Sequence, residues 1–122
     1  VIMEEAAKLF DMKVLHVGIN ATGEEQALGW AGEFLKFFDL PTKNGNSSVF
    51  AGTLVEIMKG NGRGTVGHIA FGVNDVDKAV EYFKERGANP IEETRKVVDG
   101  KTTFVYLDKE IAGFAIHLNL VK

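Results

Sequence analysis

The chain repeats itself. His16-Val-Gly-Ile-Asn20 resembles His68-Ile-Ala-Phe-Gly-Val-Asn74, and each run is followed by a stretch of helical period and then by a proline, Pro41 and Pro90. A degenerate duplication of this kind restricts the chain to folds that use one supersecondary unit twice. The unit reads as β-α-β-β(-β). The first copy predicts a strand over 13–19, a helix over about 24–38, and strands near 47–51 and 53–59. The second predicts a strand over 67–73, a helix over 76–87, and strands near 91–98, 102–108 and 113–121. The first copy is one strand short by eye, and Asp39–Gly45 is where a short edge strand would hide. Gly60-Asn-Gly-Arg-Gly-Thr65 joins the two units.

The helices are amphipathic. Ala27, Leu28, Ala31, Phe34, Leu35 and Phe38 form an apolar stripe on the first, and Val76, Ala79, Val80 and Phe83 on the second. Asp75 is a suitable N-cap for the second helix and Gly87 a suitable residue just past its end. Trp30 and the Phe34/Phe37/Phe38 group read as helix core or dimer contact, with Phe37 off the main stripe.

Side chains alternate between the faces of a strand. One face carries Leu15, Val17 and Ile19; Val55 and Ile57; Ile69, Phe71 and Val73; and Phe114, Ile116, Leu118 and Leu120. Two amphipathic helices are available to cover it. The opposite face carries His16 and Gly18, Glu56, His68, Ala70 and Gly72, and His117 and Asn119. That face is too polar for a second core and suits a concave, ligand-bearing surface. The parity of Tyr106 does not follow from its strand alone.

All three histidines of the chain thus stand on predicted strands and share a face with Glu56. Three neutral imidazoles and one carboxylate suffice to bind a divalent transition metal, and without sulfur the set suits zinc, nickel, cobalt, manganese or iron(II). The alternative is a set of hydrogen-bonded polar residues in a metal-free binding cleft. Glu56, buried without a partner, would cost several kcal/mol, so its burial calls for a cation or a raised pKa.

Composition removes other classes. At 122 residues the chain is one domain with a proper core. It has no cysteine, which excludes disulfides, thiolate metal sites and cysteine nucleophiles. A net charge of −3 favours neither nucleic acid nor an anionic membrane. No apolar run reaches the roughly 20 residues of a membrane span, and no signal peptide is visible, so a cytoplasmic location is expected. The loop Gly60–Thr65 lacks the Gly-Lys-Ser/Thr ending of a phosphate loop and reads as a flexible linker, although Arg63, Lys59 and Lys43 could screen an anionic substrate.

The pattern resembles the vicinal oxygen chelate superfamily, which includes glyoxalase I, methylmalonyl-CoA epimerase, extradiol dioxygenases, fosfomycin-resistance enzymes and bleomycin-binding proteins. Its His-hydrophobic-Gly-hydrophobic opening is matched by His16-Val-Gly-Ile19, and the second opening by His68-Ile-Ala-Phe71. The resemblance spans nearly all of 13–121. It implies an α+β fold of two β-α-β-β-β modules, one over 13–59 and one over 66–121, in a curled mixed sheet with helices on the outer face. It also implies metal ligands on the first and last strands of each module, here His16, Glu56, His68 and His117. The last of these positions is most often glutamate in a Gly-Asn-x-hydrophobic-Glu-hydrophobic run. Here the run is Gly113-Phe-Ala-Ile-His-Leu118.

Leu15-His-Val-Gly-Ile-Asn20, Gly45-Asn-Ser-Ser-Val-Phe-Ala-Gly52 and Glu110-Ile-Ala-Gly-Phe-Ala-Ile-His-Leu118 further resemble the glyoxalase-like domain that follows the barrel of bacterial 2-dehydro-3-deoxyphosphogluconate / 4-hydroxy-2-oxoglutarate aldolases. That likeness implies an upstream aldolase domain. It fits the opening valine and a reading of residues 1–12 as a linker or the end of an upstream helix, with the glyoxalase-like domain over 13–122.

The implied function is a metal-dependent glyoxalase-like lyase or isomerase that chelates two neighbouring oxygens of a small 2-oxo or 2-hydroxy compound. Glu56 or His117 would detach and carry the α-proton. The alternative is a non-catalytic binding or accessory domain of a 2-oxo-acid aldolase. A homodimer is expected, because superfamily modules pair across subunits, with the site shared either within one chain or between two.

Overall fold

A computed structural model describes residues 5–121. The first module runs β1 (Lys13–Asn20), α2 (Glu24–Phe38), β2 (Thr42–Asn44), β3 (Ser48–Ala51) and β4 (Val55–Met58), after a short helix α1 (Ala6–Leu9). The second runs β5 (Gly67–Val73), α3 (Val76–Glu85), β6 (Pro90–Val98), β7 (Lys101–Ile111) and β8 (Phe114–Leu120). The hidden edge strand exists, as the three residues of β2. Ile2, Met3 and Glu4 of the opening run lie outside the described residues.

Among the described residues eight strands form one curled mixed sheet in the order β2-β3-β4-β1-β5-β8-β7-β6. Within each module the first and last strands are parallel, β1 with β4 and β5 with β8. The modules join through the antiparallel pair β1–β5. The first and last strands of both modules are therefore the four central strands, and the duplication brings the two histidine openings side by side.

Local chemistry sets the ends of these elements. The Asp75 side chain accepts a hydrogen bond from the Lys78 amide at 3.0 Å and starts α3, and Gly87 follows its end with φ +98°. Asp99-Gly100 and Ala112-Gly113 both have positive φ at the two central positions of tight hairpins, a backbone whose twist matches the flanking strands.

Each helix covers the outer face of its own module. Under α3 the core is Val73, Val76, Ala79, Val80, Val105, Leu107 and Leu118, joined by Phe10. Phe10 meets Tyr82 edge-on at 5.6 Å, and its carbonyl accepts from the Asn74 amide, so the segment before β1 packs on the second module. Under α2 the core is Ala21, Ala27, Ala31, Val49 and Ile57, flanked by Trp30, Phe34 and Val55. The expected α2 stripe is buried only in part. Leu28 and Leu35 are exposed, and Phe37 and Phe38 are 63% and 68% exposed. The reason is length. Fifteen helical residues span about 22 Å, while β3 and β4 have four residues each, roughly 13 Å of floor. Among the described residues no helix is long and apolar enough to cross a membrane.

Candidate metal centre

The inner face is a checkerboard of rings and gaps. Gly18 on β1 pairs with Glu56 on one side and His68 on the other. Ala70 on β5 pairs with His16 on one side and His117 on the other. Small residues thus separate the large ones in both directions, and every imidazole has space to lean inward. Gly18 is the tightest of these positions, since a Cβ built there would fall within the His68 ring. The glycine of the His-Val-Gly-Ile run is what lets the second module's histidine reach the first module's.

All four expected residues meet within a single chain. His16 Nε2 lies 3.2 Å from His68 Nε2. Glu56 Oε1 is 3.4 Å from the first of these atoms and 3.1 Å from the second. One ring nitrogen from each of His16, His68 and His117 falls in a group spanning at most 4.8 Å. Donors bonded to a common ion at about 2.1 Å lie roughly 3.4 Å apart in a tetrahedral shell, so these spacings suit a divalent cation. The burial suits one too, since His68 and His117 are 2% and 3% exposed and their ring nitrogens gather at the cluster away from solvent. Facing ring nitrogens share at most one proton between them, whereas a cation would accept a lone pair from each neutral ring.

The electrostatics keep Glu56 and His117 in their binding forms. Burial pushes the Glu56 carboxyl up, but hydrogen bonds with His16, His68 and Ser48 outweigh it and hold the group well below the usual carboxylate range. Ser48 Oγ donates to Glu56 Oε2 at 2.7 Å, which turns Oε1 toward the histidines. His117 is pushed down to about 4, by burial first and then by the neighbouring His68. It is a neutral base at neutral pH.

An aromatic wall surrounds this cluster. Phe50 meets His16 edge-on at 5.7 Å, Phe104 lies 4.6 Å from His117, and Tyr106 lies 4.9 Å from it. Tyr106 sits opposite His117 in the β7–β8 pairing and so faces the cleft. Burial raises its hydroxyl pKa, with the Glu56 charge adding to the shift, so it stays protonated. Sequence reasoning left the side of Tyr106 open and assigned no role to Ser48, Phe50 or Phe104. The signal was present in the Ala112-Gly113 turn. A two-residue hairpin fixes strand parity, and the irregularity between Tyr106 and Glu110 spans an even number of residues and leaves that parity intact. Of the lysines expected to screen an anion, Lys59 is committed elsewhere, to Glu24 and the Gly45 carbonyl, both at 2.7 Å.

Comparisons with known proteins agree with this architecture. The family profile described as Glyoxalase/Bleomycin resistance protein/Dioxygenase superfamily matches residues 8–118. Among solved structures, hypothetical protein BH1468 from Bacillus halodurans C-125 superimposes with a TM-score of 0.60 at 17% identity, covering 92% of this chain and 96% of that one. A methylmalonyl-CoA epimerase gives 0.58 at 17% identity, over 89% and 94%. A Streptomyces coelicolor methylmalonyl-CoA epimerase variant bound to 2-nitronate-propionyl-CoA gives 0.57 at 16% identity, over 87% and 92%. At these identities the likeness is one of fold. No curated protein matches the sequence. With the profile covering nearly its full length, the chain belongs to the Glyoxalase/Bleomycin resistance protein/Dioxygenase superfamily.

Proposed function

We propose that this domain is a metal-dependent lyase or isomerase of the glyoxalase type, acting on a small 2-oxo or 2-hydroxy compound. The observation that carries this reading is the meeting of His16 Nε2, His68 Nε2 and Glu56 Oε1 at 3.1–3.4 Å, with His117 beside them. His16, Glu56, His68 and His117 would hold a divalent cation such as zinc, nickel, cobalt, manganese or iron(II). When bound, the cation supplies Lewis acidity to two neighbouring substrate oxygens.

The chain's own residues supply the rest. Glu56 remains anionic and is anchored through Oε2 by Ser48, so it orients rather than moves. His117 is held neutral by burial, which outweighs its contact with Asn119. Of the two candidates for carrying the α-proton, it is the neutral base, able to take the proton on a ring nitrogen and return it to the neighbouring carbon. The Asn119 side chain lies beside His117 on the same face, where it favours the protonated ring. Phe50, Phe104 and Tyr106 exclude water from the reacting atoms. The site assembles within one chain, so the homodimer we expect would not be needed to complete it.

One feature favours a second reading. The last ligand position carries His117 where the superfamily most often has glutamate, which suits a domain that binds a 2-oxo acid for an attached aldolase without turning it over. Elemental analysis of untagged protein, followed by assays on methylglyoxal hemithioacetal and on 2-oxo acids, separates the two. We expect about one equivalent of metal, lost in His16→Ala/His68→Ala, together with turnover. Stoichiometric metal retained in that double variant refutes the site. Metal without turnover on any of these compounds supports the binding module.

A further inference from the structure

Two cations stand at the rim of the cleft with no carboxylate partner among the described residues. The Arg63 guanidinium rests on the Tyr106 ring, 5.2 Å from its centre, and the Lys96 ammonium on the Phe104 ring at 4.9 Å. Both rings also touch His117. Pairing alone does not single them out, since only four of the other lysine and arginine side chains, Lys13, Lys59, Lys84 and Arg95, have a carboxylate partner among the described residues. Contact with an aromatic face positions a cation without neutralising it.

Arg63 is also held from behind. Asn20 Nδ2 donates to the Arg63 carbonyl at 3.4 Å and to the Gly64 carbonyl at 2.8 Å, and the Thr65 amide donates to Glu110. The glycine-rich segment between the modules is therefore a tied loop that presents one arginine. Beneath it lies a recess of about 160 Å³ lined by Arg63, Ile91, Tyr106 and Ala115, among others. Ala115 pairs with His68, so the recess abuts the histidine cluster. Its two carboxylates accept from backbone amides, Glu110 from Thr65 and Asp108 from Asn89, and keep their charge. Arg63 and Lys109 are therefore the lining groups that would draw an anion.

We propose that Arg63 and Lys96 select a substrate that carries a second anionic group, a carboxylate or phosphate, distal to the oxygens held at the histidine cluster. Arginine binds such groups through paired hydrogen bonds, and lysine adds a point charge. The inference rests on the proposed metal centre only for the placement of the substrate's other end.

Calorimetry on metal-loaded protein tests it with matched probes. 2-Oxoglutarate is compared with 2-oxoglutaramate, in which the distal carboxylate is an amide, and 3-phosphoglycerate with glycerate. We expect the wild type to bind at least one distal anion ten or more times more tightly than its neutral counterpart, and the better arm identifies carboxylate or phosphate. In Arg63→Gln/Lys96→Gln the ratio should fall below about three, with metal content and affinity for the neutral probe unchanged. A wild-type ratio near one in both arms, an unchanged ratio in the double variant, or no binding of any probe overturns the proposal. Repeating the titrations in EDTA isolates the metal reading. A charge preference that survives there, in protein that never held metal, removes the metal centre and leaves the rim.

Discussion

The His68 imidazole occupies the space where a side chain on Gly18 would be. The two residues are register partners across the junction of the modules, and a Cβ on Gly18 would overlap the ring. The ring cannot retreat, because His68 is 2% exposed and packed beside His117 at 5.2 Å. Gly18→Ala should therefore displace His68 from the centre. We expect metal affinity to fall by about 10- to 100-fold, the range seen when ligand orientation is lost, and stability to fall by about 1–3 kcal/mol from overpacking. A metal titration together with urea unfolding checks both. Affinity within threefold of wild type would mean that the ring position does not govern binding.

Ser48 aims Glu56. Its hydroxyl holds Oε2, leaving Oε1 for the histidines. In Ser48→Ala the carboxyl loses one of the bonds that lower its pKa, so that pKa rises, and the group gains freedom to rotate. Metal affinity should weaken about tenfold or more, and Ser48→Thr should restore most of it. A loss in the threonine variant equal to that in alanine would assign the effect to packing.

Much of this arrangement was legible in the sequence because it rests on strand parity. His16, Glu56, His68 and His117 share a face for the same reason that Val17, Ile57, Ile69 and Ile116 share the other, and no contact map is needed to see it. Convergence is a different matter. It depends on β1 pairing with β5, a contact between modules that no local pattern encodes, and on the gaps at Gly18 and Ala70, which acquire meaning only once their neighbours are known. Ser48 escaped notice because hydroxyls are common on strands and its role comes from the register Phe50↔Glu56. The exposed end of α2 escaped for a similar reason. Periodicity shows which face of a helix is apolar, while the length of sheet beneath decides how much of it is buried.

The two faces of β4 serve separate purposes. Ile57 is fully buried under α2, and its neighbour Glu56 points into the cleft. Ile57→Ala should cost about 2–5 kcal/mol of stability through lost burial and the cavity left behind. It should leave metal affinity within a few-fold wherever the protein is folded. Thermal unfolding and a metal titration below the transition measure the two independently. A collapse of metal binding in fully folded protein would show that the core residue also sets the Glu56 geometry.

His117 should make the metal-free protein sensitive to mild acid. In the folded chain its pKa is pushed down to about 4, against an ordinary value near 6.5. Between those values the unfolded state binds the proton and the folded state does not, so stability rises with pH through the window. The contribution is complete above about 6.5 and gone by about 4, and its limit is about 3 kcal/mol. Glu56 acts lower on the scale. Its folded pKa lies below the ordinary value of 4.5, so its contribution is lost only as pH falls further. Urea unfolding in EDTA at several pH values from 7.5 to 4 should show stability declining through the upper window in the wild type. His117→Gln cannot titrate there and should remain nearly level. Equal slopes in the two proteins would place the responsible proton on another group.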